Sequence, residues 1–399
     1  MRIYHFSEEP YPDAWGKERP SLRITLPNSV VDPEKARGLY HRYIDEWMLA
    51  DELGFDIMLN EHHSTATCLT SSANVVLSIL ARVTKRARLL VLGVPVGNRT
   101  DPVRVAEEMS IIDCISGGRL EFGMIKGVPY DIEPANSNAV SLMPRFWEAH
   151  DLILKAMTTH DGPFSFEGDY FHYRNVNIWP RPYQQPRPPV WVSTSTPSNA
   201  VEIGQRGHVM ASFMGGVAET VKLHKAYAQG YRAGGHGAQV PVDRFAYLAM
   251  CAVAATEEEG RRRCDVIADY LRTNAQVAEP FNKPPGYFSA EVAVRQARAP
   301  NPRAFRTLMT PKGRPVELST ANLDDFIECG IAFAGTPDQV FNQICEFLDG
   351  VGGLGNLLLM GQGGSLNAAD TTDSMRLFAR DVMPRLKERQ AKTRLFEAA

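Results

Sequence analysis

Three short stretches of the chain carry the residues best able to do chemistry. The first, Glu61-His62-His63, directly follows an apolar run at residues 56–60. Adjacent side chains on extended backbone point to opposite faces, so one imidazole turns inward and the other away. An inward imidazole can act as general acid or base near neutral pH, or donate to a bound cofactor. The alternative is a hydrogen-bonded cap in which both histidines and Glu61 only close a strand end. A metal site is a third reading. Metal-binding barrels draw ligands from several strands, however, and no second His/Asp/Glu cluster follows another run; His208 precedes its run instead. No metal is therefore expected.

The second stretch is Gly123-Met124-Ile125-Lys126-Gly127, after the run at 120–124. A lysine between glycine turns at a strand end suits an anion, most simply a phosphate. Arg145, opening the next helical segment, offers a second, bidentate contact. Read singly, these are a solvated lysine and a helix-terminal arginine. The third stretch is Ser193-Thr194-Ser195-Thr196-Pro197-Ser198-Asn199. Proline suits the first helical turn, and the hydroxyls and free N–H groups there form an anion site or ordinary capping. Together, a lysine, an arginine and a hydroxyl-rich helix start converge on one phosphate. Gly361-Gln362-Gly363-Gly364-Ser365 lacks a basic residue and reads as a turn that lets something approach closely.

Those stretches need elements to hold them. Strand-like runs fall at 2–6, 56–60, 87–96, 120–124, 189–193, 209–213, 245–254 and 356–360. Several are continuously apolar, as strands buried on both faces are, and helical periodicity separates them. Eight βα units favour a closed (β/α)8 TIM barrel over an open sheet, with chemistry at the C-terminal ends of the strands. Helices are marked by Gly54 as a C-cap, by Asp101-Pro102 and Thr336-Pro337-Asp338 as starts, and by a segment at 143–157. A last helix at about 372–392 is expected to close over the barrel. Residues 162–188 are aromatic and proline-rich and read as a hairpin beside the barrel. Residues 279–322 are rich in Pro, Arg and Gly and read as an insertion and a plausible lid. The whole chain, 1–399, is read as one domain carrying these two insertions.

With 44% hydrophobic and 22% charged residues, the 399-residue chain has the composition of a soluble globular protein. A net charge of −3 gives no global pull toward nucleic acid or anionic membrane. No apolar run approaches a membrane span, and Met1–Phe6 has no apolar leader core, so a cytoplasmic location is expected. Cys68, Cys114, Cys251, Cys264, Cys329 and Cys345 show no C-x-x-C spacing and read as packed thiols.

Several motifs in order resemble the bacterial luciferase-like flavin monooxygenase family. They are Asn60-Glu61-His62-His63, Asp101-Pro102-Val103-Arg104-Val105-Ala106-Glu107-Glu108, Ser116-Gly117-Gly118-Arg119-Leu120, Phe122-Gly123-Met124-Ile125-Lys126-Gly127, Pro188-Pro189-Val190-Trp191-Val192-Ser193 and Gly335-Thr336-Pro337. The similarity runs from about 3 to 348 and is weakest over 279–322. It implies a luciferase-like barrel that binds reduced FMN (FMNH2), supplied by a separate NAD(P)H:flavin reductase, and uses O2 to oxygenate a small organic substrate through a flavin hydroperoxide. By the same resemblance His62 is the catalytic acid/base, with His63 and Glu61 beside it. Lys126, Arg145, Ser195 and Ser198 are the FMN phosphate contacts, Lys126 standing where the luciferase subunit has Arg. Relatives often carry Glu where Thr194 stands, which leaves the local hydrogen bonding open. A homo-oligomer is expected, and the aromatic insertion with Trp191 suggests an apolar substrate pocket. Rival readings are a deazaflavin-dependent oxidoreductase of the same superfamily, a metal-dependent hydrolase barrel, and a non-catalytic flavin-binding protein.

Overall fold

Each of the eight apolar runs becomes a strand. The computed structural model describes residues 1–16, 21–273, 277–288, 290–298, 307–390 and 395–396. In chain order the strands are β1 (Arg2–Ser7), β2 (Asp56–Leu59), β3 (Leu89–Val94), β4 (Leu120–Met124), β5 (Phe164–Glu167), β6 (His172–Val176), β7 (Val190–Ser193), β8 (Val209–Phe213), β9 (Phe245–Val253), β10 (Thr307–Met309), β11 (Pro315–Glu317), β12 (Ala332–Gly335) and β13 (Asn356–Gln362). The helices are α1 (Pro33–Leu53), α2 (Ala73–Val83), α3 (Pro102–Ser116), α4 (Leu142–Thr158), α5 (Pro197–Gln205), α6 (Gly216–Ala233), α7 (Glu257–Thr273), α8 (Glu279–Asn282), α9 (Ala290–Ala297), α10 (Leu323–Glu328), α11 (Pro337–Val351), α12 (Ala368–Leu377) and α13 (Met383–Gln390).

Strands β1-β2-β3-β4-β7-β8-β9-β13 close into a parallel ring, β13 returning to β1. Alternation along each strand explains why these sequences close. Tyr4, Phe6, Met58, Leu90, Leu92, Trp191, Leu358 and Met360 fill the interior. Their neighbours Ile3, Ile57, Leu59, Leu89, Val91, Val190, Val192, Leu357 and Leu359 pack outward against the helices. The N-terminal half is solid. Tyr4 meets Trp191 edge-on at 5.7 Å, and Glu121 accepts from Tyr4 at 3.1 Å and from Arg88 at 2.9 Å while also pairing with Arg2. That leaves the C-terminal mouth for chemistry.

Helix boundaries follow their capping residues. Asp32 accepts from the N–H of Glu34 and Lys35 to start α1, and Gly54 ends it at φ 85. Asp101 caps α3, and Thr336 with Gln339 forms a capping box on α11. The hairpin expected at 162–188 is the β5–β6 pair.

Three expectations change. Trp191 is 1% exposed and packs against Tyr4 in the barrel core rather than beside the aromatic insertion. The hairpin aromatics turn to the outside of the barrel: Phe171 lies under the Arg145 guanidinium at 4.4 Å, and Tyr173 donates to Asp101 at 2.9 Å. The C-terminal segment does not close over the barrel. As α12, a π-helical turn at Phe378–Val382 and α13 it packs along α1 and α11 in the outer ring; residues 391–392 lie outside the described residues. The insertion at 279–322 contains α8, α9 and a β10–β11 hairpin; its positions 289 and 299–306 lie outside the described residues. A further short strand, β12, runs parallel to the C-terminal half of β9, Ala332 opposite Met250.

Candidate active site

The Glu61-His62-His63 cluster lies in the turn just past β2, which ends at Leu59, and divides by its partners. Met58 faces inward, and His62 lies beside Asp131 and Tyr130. Glu61 and His63 turn the other way. Fully buried Glu61 accepts from Arg99 Nη2 at 2.7 Å, stands 3.0 Å from His63 Nε2 and receives the N–H of Ala73 at 3.3 Å. These two residues are therefore the hydrogen-bonded cap, and the bond to Glu61 raises the His63 imidazole above its ordinary value. His62 is 8% exposed. Its backbone N–H donates to Thr70 at 3.3 Å, and its ring lies 6.0 Å from Tyr130. Its Nδ1 is 3.7 Å from Asp131 Oδ2.

Around His62 lies a buried polar layer drawn from several strand ends. Glu8, just past β1, accepts from Asn60 at 3.1 Å. Burial raises the Glu8 carboxyl, while His62, Asn60, Arg23 and Tyr270 pull it back. Glu9 is pushed up much further by burial and by Glu8, and accepts from the Thr70 hydroxyl. Arg23, fully buried in the loop before α1, holds its guanidinium 4.3 Å from the centre of the Tyr130 ring and 6.0 Å from that of Tyr270.

Lys126 lies past the end of β4, where burial lowers its ammonium to about 8. It donates to the Tyr287 carbonyl at 2.6 Å and sits 3.6 Å from that ring's centroid. The Tyr287 hydroxyl in turn donates to the Gly127 carbonyl at 2.6 Å, so the insertion is fastened to this loop. Gly127, at φ 92, lets the loop pass against Asn98, whose Nδ2 would stand 2.7 Å from a Cβ there. Arg145 has different partners from Lys126. Its Nε donates to Gly97 at 3.0 Å and its Nη2 to Arg99 at 2.7 Å, which ties α4 to the turn after β3.

Ser195 and Ser198 are both exposed at the start of α5. The N-cap Thr196 makes no side-chain capping bond, so amide donors at that end are open to a ligand. The glycine turn after β13 behaves otherwise. Gly361 and Gln362 belong to the strand, and Gln362 accepts from Ser7 at 2.6 Å. What approaches Gly364 is the Val266 carbonyl of α7, which a Cβ would strike.

Sequence reasoning missed Glu8, Arg23, Asn98, Arg99, Tyr130, Asp131 and Tyr270. Asn98, Arg99, Asp131 and His62 all carry buried polar atoms with no hydrogen-bond partner: both amide atoms of Asn98, Arg99 Nε, both Asp131 oxygens and His62 Nδ1. Orphaned donors and acceptors in one region mark a place where a ligand would satisfy them. Apart from Tyr270, which lies in α7, the missed residues share only a position after β1, β3 or β4, and no spacing rule links them. Among the described residues no three His, Cys, Asp or Glu side chains gather as metal ligands, and no helix is long and apolar enough to cross a membrane.

Known proteins show the same arrangement of elements. The family model for luciferase-like monooxygenases matches residues 26–353. The uncharacterized protein y4wF of Sinorhizobium fredii is 34% identical over 172 residues, 42% of this chain and 49% of that protein. The oxygenase component of the flavin-dependent trigonelline monooxygenase of Acinetobacter baylyi is 28% identical over 174 residues, 43% of this chain and 47% of that one. The matched stretch thus spans about half the length of each of these relatives. Among solved structures, the oxygenating constituent of 3,6-diketocamphane monooxygenase from Pseudomonas putida, in complex with FMN, superposes with TM-score 0.71 at 17% identity, covering 96% of this chain and 98% of that one. An F420-dependent secondary alcohol dehydrogenase superposes with TM-score 0.65 at 14% identity, covering 96% and 98%. These two structures speak to the fold.

Proposed function

Because the chain belongs to the luciferase-like monooxygenase family, we propose that it is an FMNH2-dependent monooxygenase acting on a small organic substrate with O2. The observation that supports this most is one barrel face carrying a buried imidazole, His62, a desolvated cation, Lys126, and the uncapped start of α5. The residues suit FMN. Lys126 has given one of its three N–H groups to Tyr287 and keeps two for a phosphate. Ser195, Ser198 and the first amides of α5 add hydroxyl and N–H donors. Arg145, with two of its five N–H donors on carbonyls, contributes from the flank. The unsatisfied amide of Asn98 suits the heteroatoms of a flavin ring or side chain.

Bound reduced FMN would supply the electrons that activate O2, one oxygen atom passing to the substrate and the other leaving as water. The chain's own residues do the rest. His62 takes or returns the proton, while Glu61 and His63 fix the turn that carries it. Tyr130, Tyr270 and the Tyr287 segment exclude water. Reduced FMN would come from a separate NAD(P)H:flavin reductase, since the relative from Acinetobacter baylyi is named as an oxygenase component. The six free cysteines suit a cytoplasmic setting that keeps thiols reduced. A second copy of the chain completes the proposed partners, and residues 1–399 form one barrel domain with insertions at 162–188 and 279–322.

The test is anaerobic titration with FMNH2, then mixing with oxygen while absorbance is followed, with reduced deazaflavin as the control. Saturable FMNH2 binding and flavin reoxidation slowed relative to free FMNH2 support the reading. Binding of deazaflavin alone would transfer it to hydride chemistry without O2. His62→Gln should bind FMNH2 as before and lose about 10²–10⁴-fold in turnover.

A further inference from the structure

The Asp131 carboxylate is 1% exposed, and neither of its oxygens has a hydrogen-bond partner. Leaving such a group buried and unpaired costs about 1–3 kcal/mol. The ring nitrogen that faces it, His62 Nδ1, is also buried and unpartnered, 3.7 Å from Asp131 Oδ2. Both backbones are held: the Asp131 N–H donates to Val128 at 3.1 Å and the His62 N–H to Thr70 at 3.3 Å. The 3.7 Å separation exceeds the range of about 2.7–3.2 Å, where one bond would satisfy both, by roughly half an ångström to an ångström. Glu8 also lies near His62, but its Oε2 already accepts from Asn60. Helix α8 of the insertion packs on the turn that carries Asp131, and both Asp131 and His62 are buried.

We infer that Asp131 is a positioning residue for His62, accepting Nδ1–H so that Nε2 is the atom that exchanges the proton with bound ligand. A neutral imidazole holds its proton on one nitrogen, and the bond made by one nitrogen decides the role of the other. When Nε2 takes a proton, Nδ1 keeps its own, and the positive charge that forms faces the Asp131 carboxylate. The inference rests on reading His62 as the proton-handling group only for its consequence in turnover; the tautomer can be measured without any cofactor.

The experiment is nitrogen-resolved NMR of the full chain labelled at the histidine imidazoles, with the His62 signals identified by their loss in His62→Gln. Wild type should show His62 protonated at Nδ1. Asp131→Leu should lose that tautomer, and Asp131→Glu should recover it. Turnover should follow, with kcat falling at least about tenfold in Asp131→Leu while KM changes little. Protonation at Nε2 in wild type, or at Nδ1 unchanged in Asp131→Leu, overturns the inference. If Asp131→Leu does not fold, the wild-type tautomer decides alone. A wild-type Nδ1–H tautomer lost in Asp131→Leu, combined with full turnover in His62→Gln, would remove the catalytic reading and leave the pairing standing.

Discussion

The Lys126 ammonium and the Tyr287 ring form one unit: the nitrogen lies 3.6 Å from the ring centroid and donates to the same residue's carbonyl at 2.6 Å. The insertion thereby covers the residue proposed to hold the FMN phosphate. Burial lowers that ammonium to about 8, so the unliganded protein loses its phosphate partner as pH rises through that value. FMNH2 affinity should fall about tenfold between pH 7.5 and 9, while reduced riboflavin, which has no phosphate, should show no such break. Lys126→Ala should cost roughly 10–100-fold for FMNH2 alone, the worth of a charge-assisted contact. Tyr287→Ala, which opens the lysine to water, should move the break toward the ordinary value of about 10.4. Equal losses for the two flavins would remove Lys126 from the phosphate site.

Four buried histidines make the fold acid-sensitive. His150 and His208 meet Nε2 to Nε2 at 2.8 Å, so one of those nitrogens must be unprotonated. Burial lowers both imidazoles, and it lowers His5 and His224 to about 4 each. A depressed folded value means the unfolded chain binds the proton first. The stability is therefore complete above about 6.5 and is lost as pH falls toward 4, at up to about 1.4 kcal/mol per pH unit for each histidine. Glu46, raised by burial to about 7, acts in the opposite sense and destabilises the fold as pH rises from about 4.5 to 7. The informative measurement is thus a difference between variants. His224→Phe, which keeps the stack on Phe245, should flatten urea-derived stability against pH by one proton's slope between pH 6 and 4.5. An unchanged slope would mean that His224 is protonated in the folded state.

The barrel was legible because strands buried on both faces write continuous apolar runs, and because caps such as Asp101-Pro102, Thr336-Pro337 and Gly54 are short-range signals. Strand β12 was not, since Ala332–Gly335 is too short to show a period. His62 and His63 do part, His62 toward Asp131 and His63 onto Glu61, but in a turn beyond β2 where strand alternation no longer applies. The surrounding polar layer was illegible for a different reason. Arg23 and Asp131 are single polar residues in loops, and in sequence a buried arginine looks like a solvated one; only tertiary packing distinguishes them. Arg145 shows the same limit from the other side: its residue type suits a phosphate, but its two bonds to backbone carbonyls could be seen only in the fold.

The proposed homo-oligomer has a candidate face on α2 and α3. Val75, Ile79 and Val83 are 62%, 40% and 37% exposed, and Ile111 and Ile115 are 38% and 47% exposed. The α2 residues recur at helical spacing, and α3 packs beside α2. An exposed apolar stripe is costly in water, and a two-fold axis through it would lay each stripe on its copy. Ile79→Asp with Ile115→Asp should convert a dimer to a monomer in sedimentation equilibrium without unfolding the barrel. A wild-type chain that sediments as a monomer at micromolar concentration would remove this face from consideration.

Glu61 should matter more to stability than to chemistry. Its carboxylate is fully buried, and its bonds run to Arg99, His63 and the first amide of α2, none of them to His62. Glu61→Gln keeps the shape but removes the charge on which Arg99 and a protonated His63 depend, a loss of about 1.5–3 kcal/mol for charge-assisted bonds. Part of that loss has a pH signature of its own. The Glu61 bond raises His63, so its contribution is complete below about 6.5 and is lost as pH rises through the raised folded value. Urea unfolding at pH 5.5 should therefore show a larger deficit for Glu61→Gln than unfolding at pH 9. Turnover at saturating FMNH2 should fall far less than in His62→Gln, because the nitrogen proposed to handle the proton is untouched. Full wild-type stability combined with lost turnover would instead put Glu61 in contact with the reaction, and the division of labour between the two faces of the motif would have to be abandoned.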